Sequence, residues 1–321
     1  MAQGPIPALV DEPRGWWGRL VQKSPWEATQ GVVFILPAIV MLATFLVYPA
    51  IWTIQLSFYR GRGLRIEHWV GLDNYKELLT QDPSFLDYHS FPPQGALINN
   101  VKWLVVYTGL CMLLGLVFAV LAGRVRYERV VKAVVFVPMS IAATAVGVIW
   151  LFVYSPSPRI GIVNAILQHL GGTPISWVGR VSTVNFAIIV SYVWFSTGFA
   201  MVVLSAALKG IPTEIVEAAR VDGASEWAIF RRILVPMISL PMAVVTIWLI
   251  INVIKVFDVV YIMTRGGPGA ASRVIGYSMF FETFENGRGG YGAAVAVVML
   301  LLVLPIMALN VRRFRSERVT A

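Results

Sequence analysis

Residues 211–236 read IPTEIVEAARVDGASEWAIFRRILVP, and the organisation of the whole chain follows from this stretch. Thr213 is placed as an N-cap with Glu214 and Glu217 in the first turns, Gly223 stops that helix, and Ser225 caps a second short one. The pattern predicts an elbow of two short helices joined at a glycine. Ile215, Val216, Ala219, Trp227, Ile229 and Phe230 give it more apolar surface than a loop in water needs. An apolar helical face requires a groove to bury it. Two readings stay open here: the elbow packs beneath its own bundle, or it docks into another protein.

Outward from the elbow, both directions run into long apolar segments. The chain has 321 residues, 57% hydrophobic and 13% charged, against about 25% charge in soluble globular domains. The charges sit in short stretches between the apolar runs, which excludes soluble, fibrous and disordered classes. Six segments are long enough to cross about 30 Å of hydrocarbon: 31–56, 98–122, 131–154, 183–207, 235–258 and 291–310. The expected fold class is therefore all-α, a polytopic membrane protein of about six transmembrane helices. Pro37, Pro49, Pro138, Pro241 and Pro305 fall in or near these segments and are read as kinks, which neighbouring membrane helices tolerate.

Basic residues set the orientation. Fifteen Lys and Arg lie in the N-terminal tail, the second and fourth loops and the C-terminal tail, against nine in the longer first, third and fifth loops. The denser side is the cytoplasm, so both termini and the elbow are expected inside. This distribution accounts for the net charge of +9 without nucleic acid as a partner. The N-terminal stretch has no basic leader or small-residue cleavage site and reads as a retained cytoplasmic tail. The first outward loop, with Glu67, Asp73, Glu77, Asp82, Asp87 and three prolines, is expected to form a small folded cap with helical turns.

The elbow resembles the EAA loop of binding-protein-dependent ABC importer permeases, whose pattern is E-A-A, three residues, Gly, nine residues, then I-x-L-P. Glu217, Ala218, Ala219, Gly223, Ile233 and Pro236 stand at that spacing, with Val235 where the pattern has Leu. Further segments are similar to the larger permease of maltose-type and glycerol-phosphate-type systems: Leu46-Val47-Tyr48-Pro49, Val70-Gly71-Leu72-Asp73-Asn74-Tyr75, Thr264-Arg265-Gly266-Gly267-Pro268 and Tyr291-Gly292-Ala293-Ala294. The resemblance implies a prokaryotic inner-membrane permease for a sugar. Its partners would be a second, homologous permease, two ATPase subunits and an extracytoplasmic sugar-binding protein. It also implies a layout: tail 1–30, permease domain 31–310 with an outward loop 57–97 and a coupling loop 208–236, and tail 311–321. Glu217, Ala218, Ala219, Asp222, Gly223, Ile233 and Pro236 would couple to an ATPase subunit, and the Gly-Gly-Pro loop would face the binding protein.

No G-x-x-x-x-G-K-[ST] occurs, so energy must come from another subunit or an ion gradient. By the resemblance, ATP and Mg belong to the ATPase subunits, and this chain carries no cofactor. Cys111 lies in an apolar run and reads as a buried apolar residue. His68, His89 and His169 fall in outward loops without metal-ligand spacing, so no metal site and no enzyme activity is expected. An ion-coupled secondary transporter stays open as an alternative, its ionisable candidates being Lys102 and the pair Lys255 and Asp258, read as an ion pair on one helical face. Glycerol phosphate stays open as an alternative cargo. A sugar needs an aromatic face and hydrogen-bond partners near the bilayer midplane. Tyr192, Trp194, Phe195, Ser196, Thr197 and Phe199 offer these in the fourth segment and Asn252 in the fifth. The resemblance favours Phe195, Ser196, Phe199 and Asn252 as substrate-binding residues.

Overall fold

A computed structural model describes residues 25–91 and 93–320, with side-chain surroundings over 33–91 and 93–305. The tail reading over 1–24 lies outside the described residues. The chain divides into two compact units, residues 1–53 and 54–321.

In the first unit, α1 (Pro25–Leu42) passes through a π turn at Ala43–Val47 into α2 (Tyr48–Leu56). Val33–Leu56 is long and apolar enough to cross a membrane. The π turn has a local cause. The Tyr48 amide reaches back to the Ala43 carbonyl, widening the helix just before Pro49, whose ring would otherwise press on the carbonyl four residues back.

The second unit begins at Ile54, in the last turn of α2, and continues into the cap. An antiparallel pair, β1 (Tyr59–Arg60) and β2 (His68–Trp69), leads into α3 (Asp73–Thr80). Asn74 donates to the Ser57 and Tyr59 carbonyls at 2.8 and 2.9 Å, and Leu78 and Phe85 are buried beside Ile275, Tyr291 and Val295. Hydrogen bonds from the Ser90 hydroxyl and amide and from the His89 amide hold the Asp87 carboxyl below its ordinary range. The expected folded cap is present.

Six helices follow the cap: α4 (Ala96–Ala122), α5 (Glu128–Phe136), α6 (Ala143–Val153), α7 (Ile162–His169), α8 (Val184–Lys209) and α9 (Thr213–Val221). Beyond them lie α10 (Glu226–Ile229), α11 (Val235–Met237), α12 (Ser239–Lys255), α13 (Asp258–Thr264), α14 (Ile275–Phe280) and α15 (Gly289–Thr320). The core is the seam between α4 and α8, where Trp103, Tyr107 and Tyr192 are buried. Small residues set the approach of the helices. A Cβ on Gly115 would stand 2.6 Å from the Ala200 Cβ, and one on Gly198 would stand 2.5 Å from the Val135 carbonyl oxygen.

The span count is corrected in its details. Val33–Leu56, Ala96–Ala122 and Val184–Lys209 are single helices of spanning length, but 131–154 bends by 103° between Ser140 and Ala143. Pro138 sits in a tight 3-10 turn there, and Ile141 and Ala142 are extended, so this proline marks an end and not a kink. The fifth segment bends by 69° at Ile238, and α15 contributes an apolar stretch over Gly289–Pro305. That helix continues to Thr320 and so takes in most of the expected tail 311–321. The expected ion pair is also corrected. Val256 leaves helical geometry after Lys255, so Asp258 starts a new helix and shares no helical face with it.

Candidate coupling elbow and substrate face

The elbow has the expected shape. α9 ends in a Schellman arrangement, the Ala224 amide donating to Ala219 and the Gly223 amide to Arg220, both at 3.0 Å, with Gly223 at φ 80°. The Ser225 hydroxyl accepts the Ala228 amide at 3.3 Å and caps α10. The first cap is corrected: Pro212, with extended ψ and no capping side chain, holds that position and Thr213 is already helical. From α10 the chain passes a π turn, Phe230–Leu234, into α11. The Val235 amide reaches Phe230 just before Pro236, the device already seen at Pro49.

Across the bend, Arg220 Nε donates to Glu226 at 2.8 Å, and Arg124, in the turn after α4, lies 3.6 Å from the other Glu226 oxygen. Glu128 joins Lys132 and Lys209 at 2.5 and 2.7 Å and so ties α5 to the end of α8. Glu217, Ala218, Asp222, Gly223 and Pro236 are exposed, and Ala219 and Ile233 are half-buried. The elbow therefore presents its E-A-A surface outward. Nothing in the residue pattern marked Arg124 as its tether.

At the opposite end, the Gly-Gly-Pro loop is tightly built. Arg265 and Gly266 take positive φ, and a Cβ on Gly266 would meet the Tyr277 ring at 2.7 Å. Asn99 donates to the Ala271 and Arg273 carbonyls, each at 2.8 Å, and Asn185 to Ala271 at 2.7 Å. Asn100 takes the Ile275 amide at 2.8 Å and gives to Val253 at 2.9 Å. These asparagines, at the starts of α4 and α8, escaped the sequence reading because their partners are more than 80 residues away.

The expected substrate residues divide. Phe195 and Phe199, one turn apart on α8, are partly exposed, as is Asn252 on α12. Phe199 packs on Trp248 at a ring distance of 4.2 Å, and the Asn252 amide donates to the Trp248 carbonyl at 2.8 Å, leaving its side-chain oxygen as an acceptor. Ser196 differs from these: it is 1% exposed, its hydroxyl buried in the helix packing without a hydrogen-bond partner. Trp248, which touches both Phe199 and Asn252, is a residue that sequence spacing did not single out.

Residues 112–315, from the middle of α4 into α15, match the family described as binding-protein-dependent transport system inner membrane component. The chain belongs to that family. The match takes in the elbow, α8, α12 and the Gly-Gly-Pro loop of this inner membrane component. It is 42% identical over 289 residues to an osmoprotective compounds uptake permease protein of Synechocystis, covering 89% of this chain and 99% of that protein. To an alpha-glucoside transport system permease protein of Rhizobium meliloti it is 40% identical, over 91% and 83% of the two. A trehalose/maltose transport system permease protein of Thermococcus litoralis is 32% identical, over 91% and 96%. In fold, this permease superposes with TM-score 0.71 on a chain of a bacterial ABC transporter that imports the acidic polysaccharide alginate, at 24% identity over 89% of this chain and 98% of that one. The architecture is that of an ABC importer permease.

Proposed function

We propose that the chain is the transmembrane permease subunit of an ATP-driven, binding-protein-dependent importer for a sugar of the α-glucoside class. The observation that carries this is the elbow: an exposed E-A-A helix closed by a glycine with positive φ and tied by Glu226 to α4. That surface suits a cleft in a cytoplasmic ATPase subunit. With no phosphate-binding loop in its sequence, the permease would draw on two such subunits for ATP hydrolysis and perform none itself. A second, similar permease completes the pathway, and an extracytoplasmic binding protein meets the Gly-Gly-Pro loop. Both termini and the elbow lie on the cytoplasmic side, by the density of basic residues.

Relatives named for alpha-glucoside and for trehalose/maltose transport support the sugar class. The paired Phe199 and Trp248 rings offer a face for a pyranose, and Asn252 an acceptor for a hydroxyl. Within this reading, closure of the ATPase pair swings the elbow, and the elbow carries α4 and α8 between inward-open and outward-open arrangements.

The test is reconstitution with the ATPase subunits, second permease and binding protein in proteoliposomes. Uptake of radiolabelled maltose or trehalose should require ATP and all partners. Uptake driven by a proton gradient in the absence of ATP would overturn the reading.

A further inference from the structure

Beside the elbow, next to its Arg124–Glu226 tether, lies a cleft between α4 and the return limb. Leu113, Val117 and Leu121 stand four apart on one face of α4 and are exposed. Opposite them Trp227, Phe230 and Leu234 repeat at helical spacing, and the two rows enclose about 430 Å³. The walls are apolar except at one end, where Arg124 and Glu226 stand. A second cavity of about 480 Å³ shares Trp227 with it as a wall and is otherwise lined by Ser225, Ala228, Arg231 and Arg232. Arg231 and Arg232 are exposed, and neither forms an ion pair with a carboxylate among the described residues. Glu226 is already engaged by Arg220 and Arg124.

We propose that this double cavity holds one anionic phospholipid of the inner leaflet, its acyl chain between α4 and the return limb of the elbow and its phosphate on Arg231 and Arg232. Three observations select this occupant. The row from Leu113 to Leu121 spans about 12 Å at 1.5 Å per residue, close to the roughly 15 Å depth of one hydrocarbon leaflet. The cleft is polar and basic at one end only, which is the charge pattern of an amphiphile. Trp227, 67% exposed and stacked on Phe230 at 5.5 Å, stands where the two parts meet, the position amphipathic rings take at a headgroup boundary. The α4 row belongs to a helix of spanning length, Ala96–Ala122, and with the elbow inside it would lie in the inner leaflet, out of reach of an ATPase subunit in water. A lipid wedged there sets the spacing between α4 and the elbow, so anionic lipid tunes the lever. The inference rests on the inward orientation of the elbow proposed above and is independent of which solute is carried.

The assembled importer, in nanodiscs of phosphatidylcholine with increasing phosphatidylglycerol, is examined by native mass spectrometry, a readout that does not involve uptake. Wild type should retain one phosphatidylglycerol per copy of this chain in preference to phosphatidylcholine. Arg231→Gln with Arg232→Gln, two exposed positions, should weaken that preference about thirtyfold. Val117→Trp, which fills the groove, should displace both lipids from an intact complex. Equal retention of the two lipids by wild type, or retention unchanged in both variants, would overturn the proposal. So would a cross-link from position 117 to the second permease, which would put protein in the cleft.

Discussion

Arg220 and Glu226 meet across Gly223 at 2.8 Å, closing the two limbs of the elbow with a single ion pair. Both side chains are more than half exposed, so the pair adds little to stability. Its geometric effect is larger. Through the second Glu226 oxygen and Arg124, at 3.6 Å, the same carboxylate also links the elbow to the end of α4, the contact through which the proposed lever would act.

Glu226→Gln should leave expression and thermal stability within about 0.5 kcal/mol of wild type and reduce sugar uptake per ATP hydrolysed. The wild-type ratio should also fall as salt is raised toward 1 M, where exposed charges are screened within about 3 Å. Parallel assays of hydrolysis and uptake check both. A ratio unchanged in the variant would remove the ion pair from the lever.

Gly223 has open space around its missing Cβ and φ 80°, so a substitution is opposed by the backbone and not by a neighbour. The cost is about 1–2 kcal/mol for most residues and less for Asn or Asp, which tolerate the left-handed region. Gly223→Val should therefore uncouple transport or release the ATPase subunits more than Gly223→Asp, with Gly223→Asn mildest, while insertion stays normal. Co-purification with the ATPase subunits and stimulated hydrolysis measure the order. Normal assembly and uptake in the Val variant would end the coupling role of this turn.

Asn99→Ala should loosen the Gly-Gly-Pro loop, since the Ala271 and Arg273 carbonyls would each lose a donor. An orphaned buried acceptor costs about 1–3 kcal/mol. Faster proteolysis within 265–272 and weaker stimulation of hydrolysis by the binding protein are expected, with basal hydrolysis retained. Wild-type proteolysis would show that Asn185 alone holds the loop.

On the substrate face, Trp248→Ala and Asn252→Ala should raise the KM for sugar uptake about tenfold with assembly intact. Ser196→Ala should leave KM within a factor of about two, because its hydroxyl faces the helix packing. Uptake kinetics in proteoliposomes separate them, and the reverse order would place the sugar in the α4–α8 seam.

Asp87 gives a pH signature in the cap. Its carboxyl is held low in the fold by Ser90 and His89, so this contribution is complete above the unfolded value near 4 and is lost as pH falls through the lower folded value. Hydrogen exchange at Ser90, corrected for intrinsic rate, should be constant from pH 8 to 5 and rise only below about pH 4. Asp87→Asn should remove the pH dependence.

The all-α membrane class, the elbow with its glycine turn, and the folded cap could all be read from the residues alone. These rest on local causes: apolar runs of spanning length, a positive-φ position that favours glycine, and capping side chains a few residues from the amides they satisfy. Relations between distant segments, by contrast, emerge only once the chain has folded. The 103° bend after Pro138 lies in a run whose hydropathy reads as one span, because an apolar composition does not reveal a change of direction. Asn99 and Asn185 look like any polar residue at a helix start until the loop 264–275 folds onto them. Ser196 and Phe199 lie three residues apart, yet one faces the packing and the other the open face. That choice is made by the rotation of α8 against its neighbours, fixed on α4 where Gly115 meets Ala200 and on α5 where Gly198 meets the backbone at Val135. Hydrophobic periodicity cannot set that rotation in a helix apolar on every side, since lipid and protein interior reward the same side chains.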